Sequence, residues 1–473
     1  MTPAYVVKLH NSFTRRLDVL EPIVPGQVGV YCCGPTVYDT QHIGNFKTFI
    51  FEDVLVRTLR FAGYKVKHVM NITDVGHLTS DADEGEDKMI VAMRREGKSA
   101  QQIADFYTAK FFEDWDKLNL VRPDVVAKAT QHIPEMIALI QVLEKRGFAY
   151  ASGGNIYFNV AKFKPYGRLA GLDLKKLKAG ARVNVDANKK NPYDFVLWFT
   201  KSKFAGQEML WESPWGTGYP GWHIECSAMS MKYLGEQFDI HCGGADHIPV
   251  HHTNEIAQSE AATGKKWVSI WMHSQFMMQN QEKMSKSKGG FMILDDLIQH
   301  SYEPACYRML LLGSHYRSHL NFSWEAMDNA KRNLEKLKNL VLSLKEETLK
   351  SGQAAAQDPD SDSLDQFRNA ICDDLNTPQA LAHMWKIAAD KDLSSAQRLG
   401  LLLTMDRVFG LGMDTWEAGS EEIPAEVQDL ATRRDAARRE KNWAEADRLR
   451  QEISALGYLV EDSAQGAVLK KMG

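Results

Sequence analysis

A strand, a helix and a second strand follow one another near the start of this chain of 473 residues. Residues 26–31 are rich in β-forming side chains, a helical pattern runs over 44–63, and a second β-rich run spans 65–73. Glycines at the turns between such segments are typical of a β-α-β unit, whose two strands are parallel. The pattern predicts an α/β nucleotide-binding domain, and the absence of a G-x-G-x-x-G motif argues against a dinucleotide.

The same alternation restarts much later in the chain. Residues 238–242 have a strand pattern and 251–263 a helical one, so the predicted sheet is split by an insertion. Beyond residue 302 almost every segment is helical, and a last module combines a charged helix over 431–455 with a β ribbon over 459–469. We therefore expect an α/β fold: a Rossmann-like parallel-sheet domain split by an insertion, followed by a helical bundle and a small C-terminal module.

Composition and charge exclude several other classes of protein. With 44% hydrophobic and 25% charged residues the chain is ordinary for a globular protein. A net charge of -4 leaves no positive surface layer for nonspecific nucleic-acid binding. No apolar run reaches the roughly 18 residues of a membrane span, so we expect a cytoplasmic protein with no membrane partner. Six cysteines without a C-x-x-C pair indicate thiols or metal ligands rather than a disulfide framework.

Two short motifs carry residue types that bind phosphate. His42-Ile43-Gly44-Asn45 precedes the first predicted helix, where backbone N–H groups and the helix dipole attract anions. Lys283-Met284-Ser285-Lys286-Ser287 places two ammonium groups on one loop, which suits a polyphosphate. Each motif alone is also common in ordinary loops. In this order, and about 240 residues apart, they resemble the signature pair of class I aminoacyl-tRNA synthetases.

Four further side chains are of types that ligate zinc: Cys33, Cys226, His251 and Glu255. His251 and Glu255 are four residues apart and share one helix face, although this spacing also arises by chance. The segments that carry the four residues are predicted to converge at the carboxyl ends of parallel strands, where open α/β sheets bind ligands. Three neighbouring side chains are further candidates for metal contact: His247, His252 and Cys242.

Six stretches together resemble cysteinyl-tRNA synthetase over almost the whole chain: residues 33–45, 71–74, 221–229, 238–258, 283–287 and 441–462. The resemblance implies that the zinc ligands are Cys33, Cys226, His251 and Glu255. It implies catalytic roles for His42, Asn45, Lys283 and Lys286. It implies that ATP contacts Gly34, His42, Gly44, Asn45, Asp246 and Lys286, and that the amino acid contacts Thr73, Trp222 and His241. It implies that tRNA contacts Arg438, Trp443, Asp447 and Asp462. Many members of the family have His where this chain has the uncharged Asn45.

The resemblance also implies an activity, cofactors and partners. The chain is expected to be a cysteine-tRNA ligase that uses ATP, L-cysteine and tRNA(Cys), with one Zn²⁺ per chain and Mg²⁺ bound with ATP, and to act as a monomer. The implied divisions are a catalytic domain in two halves at 1–118 and 206–265, a connective insertion at 119–205, a stem-contact region with the Lys283 loop at 266–322, a tRNA-binding helical bundle at 323–415, and an anticodon-binding module at 424–473.

Two other functions use the same motifs. A relative of the family joins cysteine to an amino sugar with the same adenylation site, but it ends before an anticodon module, whereas this chain continues for more than a hundred residues beyond Leu349. The second such function is that of a catalytically idle paralogue that binds tRNA. Asn45 is its only support, and Lys283, Lys286 and the four zinc-ligand types argue against it.

Overall fold

The computed structural model describes residues 5–76, 87–172, 187–201, 207–279, 282–283, 291–355, 362–417, 424–463 and 466–471. It divides into two compact units, Met1–Asp414 and Thr415–Gly473. Among the described residues no helix has the length and apolar character needed to cross a bilayer.

Five parallel strands form the central sheet of the first unit. They are β1 (Gln27–Cys32), β2 (Lys65–Ile72), β3 (Val125–Lys128), β4 (Phe238–Gly244) and β5 (Val268–Ser274). Their order is β5-β4-β1-β2-β3. The strands β2 and β3 are added on one side of β1, and the later strands β4 and β5 are added on its other side. The predicted parallel sheet, split in sequence, is confirmed. The reversal of order between β1 and β4 marks the edge where sheets of this kind bind ligands.

Helices after the strands pack against this sheet. The four that position the site are α1 (Ile43–Phe61), α2 (Lys88–Glu96), α3 (Trp222–Leu234) and α4 (His251–Thr263). The helix α1 buries Phe46, Ile50 and Val54, and α3 packs on β1, β2 and α4. Burial of such side chains contributes roughly 1.5–3 kcal/mol each, so the helix ends near the site are held by the core.

The segment between β3 and β4 forms an insertion, but its bounds differ from the predicted 119–205, because β3 belongs to the central sheet and the strand Tyr219–Pro220 pairs within the insertion. It begins with a helix, Ile133–Lys145, and continues as an antiparallel sheet of four strands: Ala149–Ser152, Asn155–Phe158, Phe195–Phe199 and Tyr219–Pro220. Three further pieces lie outside the insertion: an N-terminal hairpin of Lys8–Asn11 and Arg16–Val19, the helix Ala100–Lys117, and a small sheet of Met277–Gln279, Glu282–Lys283 and Leu320–Asn321.

The remainder of the first unit is helical, and buried polar contacts tie it to the sheet domain. Its helices are Leu294–Gln299, Pro304–Leu312, Trp324–Lys350, Asp362–Cys372, Thr377–Ala389 and Ser395–Phe409. Arg308 is 1% exposed, pairs with Asp53 of α1, and donates to the carbonyl of Phe409 at 2.5 Å. Asp374 accepts from the Tyr316 hydroxyl at 2.6 Å. Removing one partner of such a buried pair typically costs about 3–5 kcal/mol, so these helices and the sheet form one stable body.

The second unit pairs two helices with a hairpin. The helices are α5 (Ala425–Arg439) and α6 (Trp443–Ala455), and the antiparallel strands are β6 (Tyr458–Ser463) and β7 (Gly466–Lys471). The prediction of one helix over 431–455 is wrong. Lys441 has a φ of 59°, and the Asn442 side chain accepts from the backbone N–H of Glu445 at 3.3 Å, which starts a new helix. The predicted ribbon over 459–469 is confirmed as a hairpin.

Candidate active site

The first turn of α1 forms one wall of a pocket at the carboxyl ends of β1 and β4. His42 caps the helix: its Nδ1 accepts from the backbone N–H of Asn45 at 3.1 Å, and its own N–H donates to Asn45 Oδ1 at 3.2 Å. Because Nδ1 is the acceptor, the ring proton of the neutral imidazole lies on Nε2. A Cβ on Gly44 would lie 3.0 Å from the His42 ring, so glycine leaves room for that side chain. The motif residues thus present hydrogen-bond donors at a helix N-terminus, as phosphate requires.

Gly34 and Thr73 join the ends of β1 and β2 beneath this wall. The Gly34 N–H donates to Asn71 Oδ1 at 2.8 Å, and Asn71 Nδ2 donates to Thr73 Oγ1 at 3.1 Å. The Thr73 hydroxyl in turn donates to Glu225 of α3 at 3.1 Å. A Cβ on Gly34 would lie 1.8 Å from the Asn71 carbonyl oxygen, so no other residue fits. Both predicted residues line the pocket.

The four predicted metal ligands converge at the bottom of the pocket. Sγ of Cys33 and Cys226, a ring nitrogen of His251 and a carboxylate oxygen of Glu255 all lie within 4.8 Å of one another. They come from three segments, namely the end of β1, the helix α3 and the first turns of α4. All four residues are at most 5% exposed. Sequence reasoning named this group, and the fold brings its ligand atoms to one point.

One atom of this group fits a bound cation. Glu255 Oε1 is buried and accepts no hydrogen bond, although His251 Nε2 lies only 2.8 Å away. A buried carboxylate oxygen without a partner is costly, and a metal ion is one group that satisfies it. Two sulfurs, one imidazole nitrogen and one carboxylate oxygen are a donor set that suits a borderline-soft divalent ion.

The charges of the side chains within the group depend strongly on one another. A hydrogen bond with Cys33 lowers the pKa of the Cys226 thiol. Burial opposes ionisation of Glu255, but His251 and His241 hold its pKa at about 2. Burial likewise disfavours the His251 imidazolium, yet Glu255 and Cys226 raise its pKa to about 10. Metal ions bind the neutral imidazole, so ligation by His251 would release this proton.

Further histidines surround the group. His241 Nε2 lies 2.8 Å from Glu255 Oε2, and His252 Nε2 lies 3.3 Å from Cys33 Sγ. His241 and His252 form, with Cys33 and Glu255, a second cluster whose ligand atoms lie within 4.8 Å of one another. His252 Nδ1 is bonded to His273 Nε2 at 2.8 Å. His252 thus stays a candidate metal contact, and partners of this kind orient metal-binding side chains.

Cys242 and His247 lie in different places. The Cys242 thiol is hydrogen-bonded to Cys32, which is opposite to it across β4 and β1, and both are fully buried. His247 lines the pocket beside Asp246, the residue predicted near the ribose. Sequence reasoning missed His273 and also His223, whose Nδ1 lies 2.9 Å from His251 Nδ1. His223 is one helical turn before Cys226 on α3, and that spacing could have indicated it, whereas His273 lies in a strand without a spacing to the ligands.

The pocket unites the two halves of the site. Its volume is about 430 Å³, and its walls include His42, Asn45, Trp222 and Asp246, together with Cys33 and His251 of the group of four predicted metal ligands. The Trp222 ring packs on the His251 imidazole with centroids 4.2 Å apart. A cavity of this size accommodates a nucleotide and a small amino acid together. Hydrogen-bond donors at one end of the pocket suit the phosphates of a nucleotide. A metal ion at the group on the other end would suit a thiol. The pocket therefore suits a reaction in which a nucleotide activates a carboxylic acid that carries a thiol.

Comparisons with known proteins agree with this geometry. A family model described as "tRNA synthetases class I (C) catalytic domain" matches residues 19–332, a "DALR domain" matches 366–410, and a "Cysteinyl-tRNA ligase anticodon binding domain" matches 420–467. A cysteine--tRNA ligase of Treponema denticola is 50% identical over 98% of this chain and 100% of its own length. Cysteine--tRNA ligase 1 of Burkholderia lata is 46% identical over 97% and 95%. This chain belongs to the cysteinyl-tRNA synthetase family.

The fold agrees with class I synthetases in general. Methionyl-tRNA synthetase of Mycobacterium tuberculosis, solved in complex with methionyl-adenylate, superposes with a TM-score of 0.56 at 14% identity over 81% of this chain and 90% of its own. A synthetase of this class takes ATP, an amino acid and a tRNA as substrates. The matched domain is described as binding the anticodon, which is part of the tRNA.

In this cysteinyl-tRNA synthetase family member, the second signature motif is only partly described. The backbone of Lys283 ends the short strand Glu282–Lys283, which pairs with Met277–Gln279, and Met277 lines the pocket. The side chain of Lys283 and the whole of Lys286 lie outside the described residues. Their predicted roles stay predictions.

The predicted tRNA contacts fall in the second unit. The Arg438 guanidinium lies 5.9 Å from the Trp443 ring centroid, although the two residues belong to different helices. Trp443 is 58% exposed, which is unusual for an indole, and Asp447 is exposed one turn further along α6. Asp462 lies in β6, and its side chain is outside the described residues. An exposed ring beside a cation is able to stack on an unpaired base.

Proposed function

We propose that this protein ligates cysteine to tRNA(Cys) in two steps, first forming cysteinyl-adenylate from L-cysteine and ATP-Mg²⁺, then transferring the cysteinyl group to the 3′ end of the tRNA. The observation that carries the proposal is the buried group of two thiols, an imidazole and a carboxylate, two members of which, Cys33 and His251, line the same pocket as the first turn of α1. We assign one Zn²⁺ per chain to that group.

The need for zinc follows from the similarity of cysteine and serine. The two amino acids differ by one atom, and a pocket of fixed shape separates such molecules by only about 1–3 kcal/mol. Accurate translation requires roughly 10⁴-fold discrimination, which corresponds to about 5.5 kcal/mol. Zinc bound to this group prefers a thiolate to a neutral hydroxyl and supplies the difference. Cys33, Cys226, His251 and Glu255 would hold it.

The residues in and behind the pocket wall position the reactants. Thr73, Trp222 and, behind Glu255, the buried His241 surround the amino acid, and Gly34, Gly44 and Asp246 border the nucleotide. His42 donates through Nε2–H to a phosphoryl oxygen, and the Asn45 amide adds a second donor. Such fixed donors stabilise the charge that builds as the carboxylate attacks the α-phosphate, and the reaction needs no covalent help from the protein.

The domain roles follow from this assignment. The halves 1–118 and 206–265, together with β3, form the catalytic domain, the rest of 119–205 the insertion, 266–322 the stem-contact region, 323–415 the bundle that binds tRNA, and 424–473 the anticodon-binding module. We propose that the protein acts as a monomer. Because charged tRNA is consumed by ribosomes, we place the protein in the cytoplasm.

Cysteine-dependent exchange of pyrophosphate into ATP, measured with and without tRNA on zinc-analysed protein, tests the proposal. We expect exchange with cysteine, little with serine, one zinc per chain, and charging of tRNA(Cys) by the same preparation. An amino-sugar ligase would show exchange but transfer cysteine to an amino sugar and not to tRNA. Absence of exchange by zinc-loaded protein would favour the idle paralogue.

Replacement of Lys286 by alanine is expected to slow adenylation far more than it weakens cysteine binding. Its ammonium charge is needed most when negative charge moves toward the leaving pyrophosphate, and loss of one such group typically costs about 10²–10³ in rate. The maximal exchange rate and the KM for cysteine, compared with those of Lys286→Arg, check this. An unchanged maximal rate would remove Lys286 from the catalytic set.

Replacement of Trp443 by alanine is expected to reduce tRNA charging while exchange stays normal. Loss of stacking on one base costs about 1–3 kcal/mol, which is roughly 5- to 150-fold in kcat/KM for tRNA. Trp443→Phe keeps an aromatic face and serves as the matched control, with charging close to wild type. Equal charging by the alanine variant would exclude a role of this ring in tRNA binding.

A further inference from the structure

Lys88 is a charged side chain of the pocket that neither signature motif contains. It is the first residue of α2, and it lines the same cavity as Thr36, Asn45 and Asp246. Among the described residues on the pocket wall, Lys88 is the one lysine or arginine. The cavity receives ATP and a carboxylate in the proposed reaction, so the position of this ammonium group matters for the chemistry.

Two aromatic rings fix the position of the ammonium group. Lys88 Nζ lies 5.7 Å from the Tyr38 ring centroid and 5.8 Å from that of Trp222. At such distances the face of each ring attracts a cation. Trp222 itself packs on His251, so the ammonium group is one ring away from the metal-binding group.

The start of α2 holds the backbone of Lys88 in place. The carboxylate of Asp87 accepts from the backbone N–H groups of Met89 and Ile90 at 2.7 and 3.2 Å, which caps the helix. Asp87 and Met89 are buried, whereas Lys88 between them is half-buried. The long side chain therefore extends from an anchored turn, which reduces the conformational entropy lost when it binds an anion.

The charge of the described pocket wall makes this cation important. Adenylation brings the carboxylate of cysteine to the α-phosphate of ATP, and these two anions repel each other. Asp246 adds a further acidic side chain to the wall. Asn45 is neutral, and its side-chain oxygen is already engaged with the His42 N–H. A cysteine whose sulfur is at the metal-binding group has its carboxylate only three bonds away, within the same cavity.

We propose that Lys88 is a catalytic residue of adenylation whose ammonium group contacts the α-phosphate and offsets the charge that accumulates there. The inference rests on the proposed function. A carboxylate oxygen of cysteine forms a bond to the α-phosphorus, the bond from that phosphorus to the bridging oxygen breaks, and its electron pair leaves with pyrophosphate. Lys88 donates hydrogen bonds and gives up no proton in this step.

The test uses full-length, zinc-loaded protein with Lys88→Met, which keeps the length of the side chain, and Lys88→Arg, which keeps its charge. We expect Lys88→Met to lower the maximal exchange rate by about 10²-fold, and Lys88→Arg to stay within about tenfold of wild type. The zinc content of both variants should equal that of wild type, because neither substitution touches a ligand.

AMP and adenosine differ only by a phosphate group, so calorimetric measurement of the binding of each shows whether Lys88 contacts the phosphate or only packs in the pocket wall. Lys88→Met should lower the affinity for AMP by about tenfold and leave the affinity for adenosine unchanged. A wild-type exchange rate in Lys88→Met, or an equal loss for AMP and adenosine, would overturn the inference. If wild-type protein shows no cysteine-dependent exchange, the proposed function fails, and the difference between AMP and adenosine still decides whether Lys88 binds phosphate.

Discussion

Removal of residues 415–473 is expected to reduce tRNA charging by about 10²-fold or more while cysteine-dependent exchange stays near wild type. These residues form a separate compact unit with its own core of Val427, Leu449, Ile453 and Val460. The pocket and the metal-binding group belong to the other unit. With a net charge of -4 the chain has little generic attraction for RNA to replace the lost contacts. Loss of stacking alone costs about 1–3 kcal/mol per base.

The position of the cut decides whether this experiment is informative. A cut at Leu349 would remove Phe409 and Asp374, which are partners of Arg308 and Tyr316, and would leave buried polar groups unpaired. A cut after Asp414 preserves these contacts. Aminoacylation and exchange are then measured on the same preparation. Equal charging by the shortened and full-length proteins would contradict the assignment of tRNA binding to this unit.

Replacement of Cys226 by serine is expected to lower both zinc content and discrimination against serine. A neutral hydroxyl is a poor zinc ligand in place of a thiolate. Substitutions of residues that only hydrogen-bond to metal ligands typically lower metal affinity by about 10- to 100-fold, so loss of a ligand itself should lower zinc affinity by more than about 10²-fold. The ratio of cysteine to serine activation should fall from about 10⁴ toward the roughly 10- to 10²-fold that shape alone provides.

Metal analysis and exchange with each amino acid check this result. Cys306→Ser is the matched control, because Cys306 is a buried thiol in the helix Pro304–Leu312, away from the pocket. The control should keep its zinc and its discrimination. Full zinc and unchanged cysteine activation in Cys226→Ser would show that the ligand set is wrong, and the overlapping cluster with His241 and His252 would then be the first candidate.

The sequence predicted the parts of this protein whose signals are local. Glycines at the ends of β1 and α1 mark the β-α-β unit, and the restart of the pattern near residue 238 shows that the sheet is split. The spacing of His251 and Glu255 places both on one face of α4. These features depend on turns and helix periodicity, which a short stretch of chain determines by itself.

Features that depend on contacts between distant segments, or on one unusual backbone angle, were not predictable. His273 is buried against His252 only because α4 and β5 meet there. The break between α5 and α6 was missed because Lys441 adopts a left-handed conformation within an otherwise helical pattern. Lys88 belongs to neither signature motif, and its position in the pocket depends on the packing of α2.

The scattered origin of the metal-binding group has a consequence for how the protein is made. Its residues lie at positions 33, 226, 251 and 255, and β1 pairs with β4 across more than two hundred residues. At about 5–20 residues per second, the ribosome adds Glu255 roughly 10–45 seconds after Cys33. During this interval Cys33 is a lone thiol on an unfinished sheet, open to oxidation or to stray metals. Binding of an ion by this group would therefore be a late event in biogenesis, completed only when the second half of the sheet has docked.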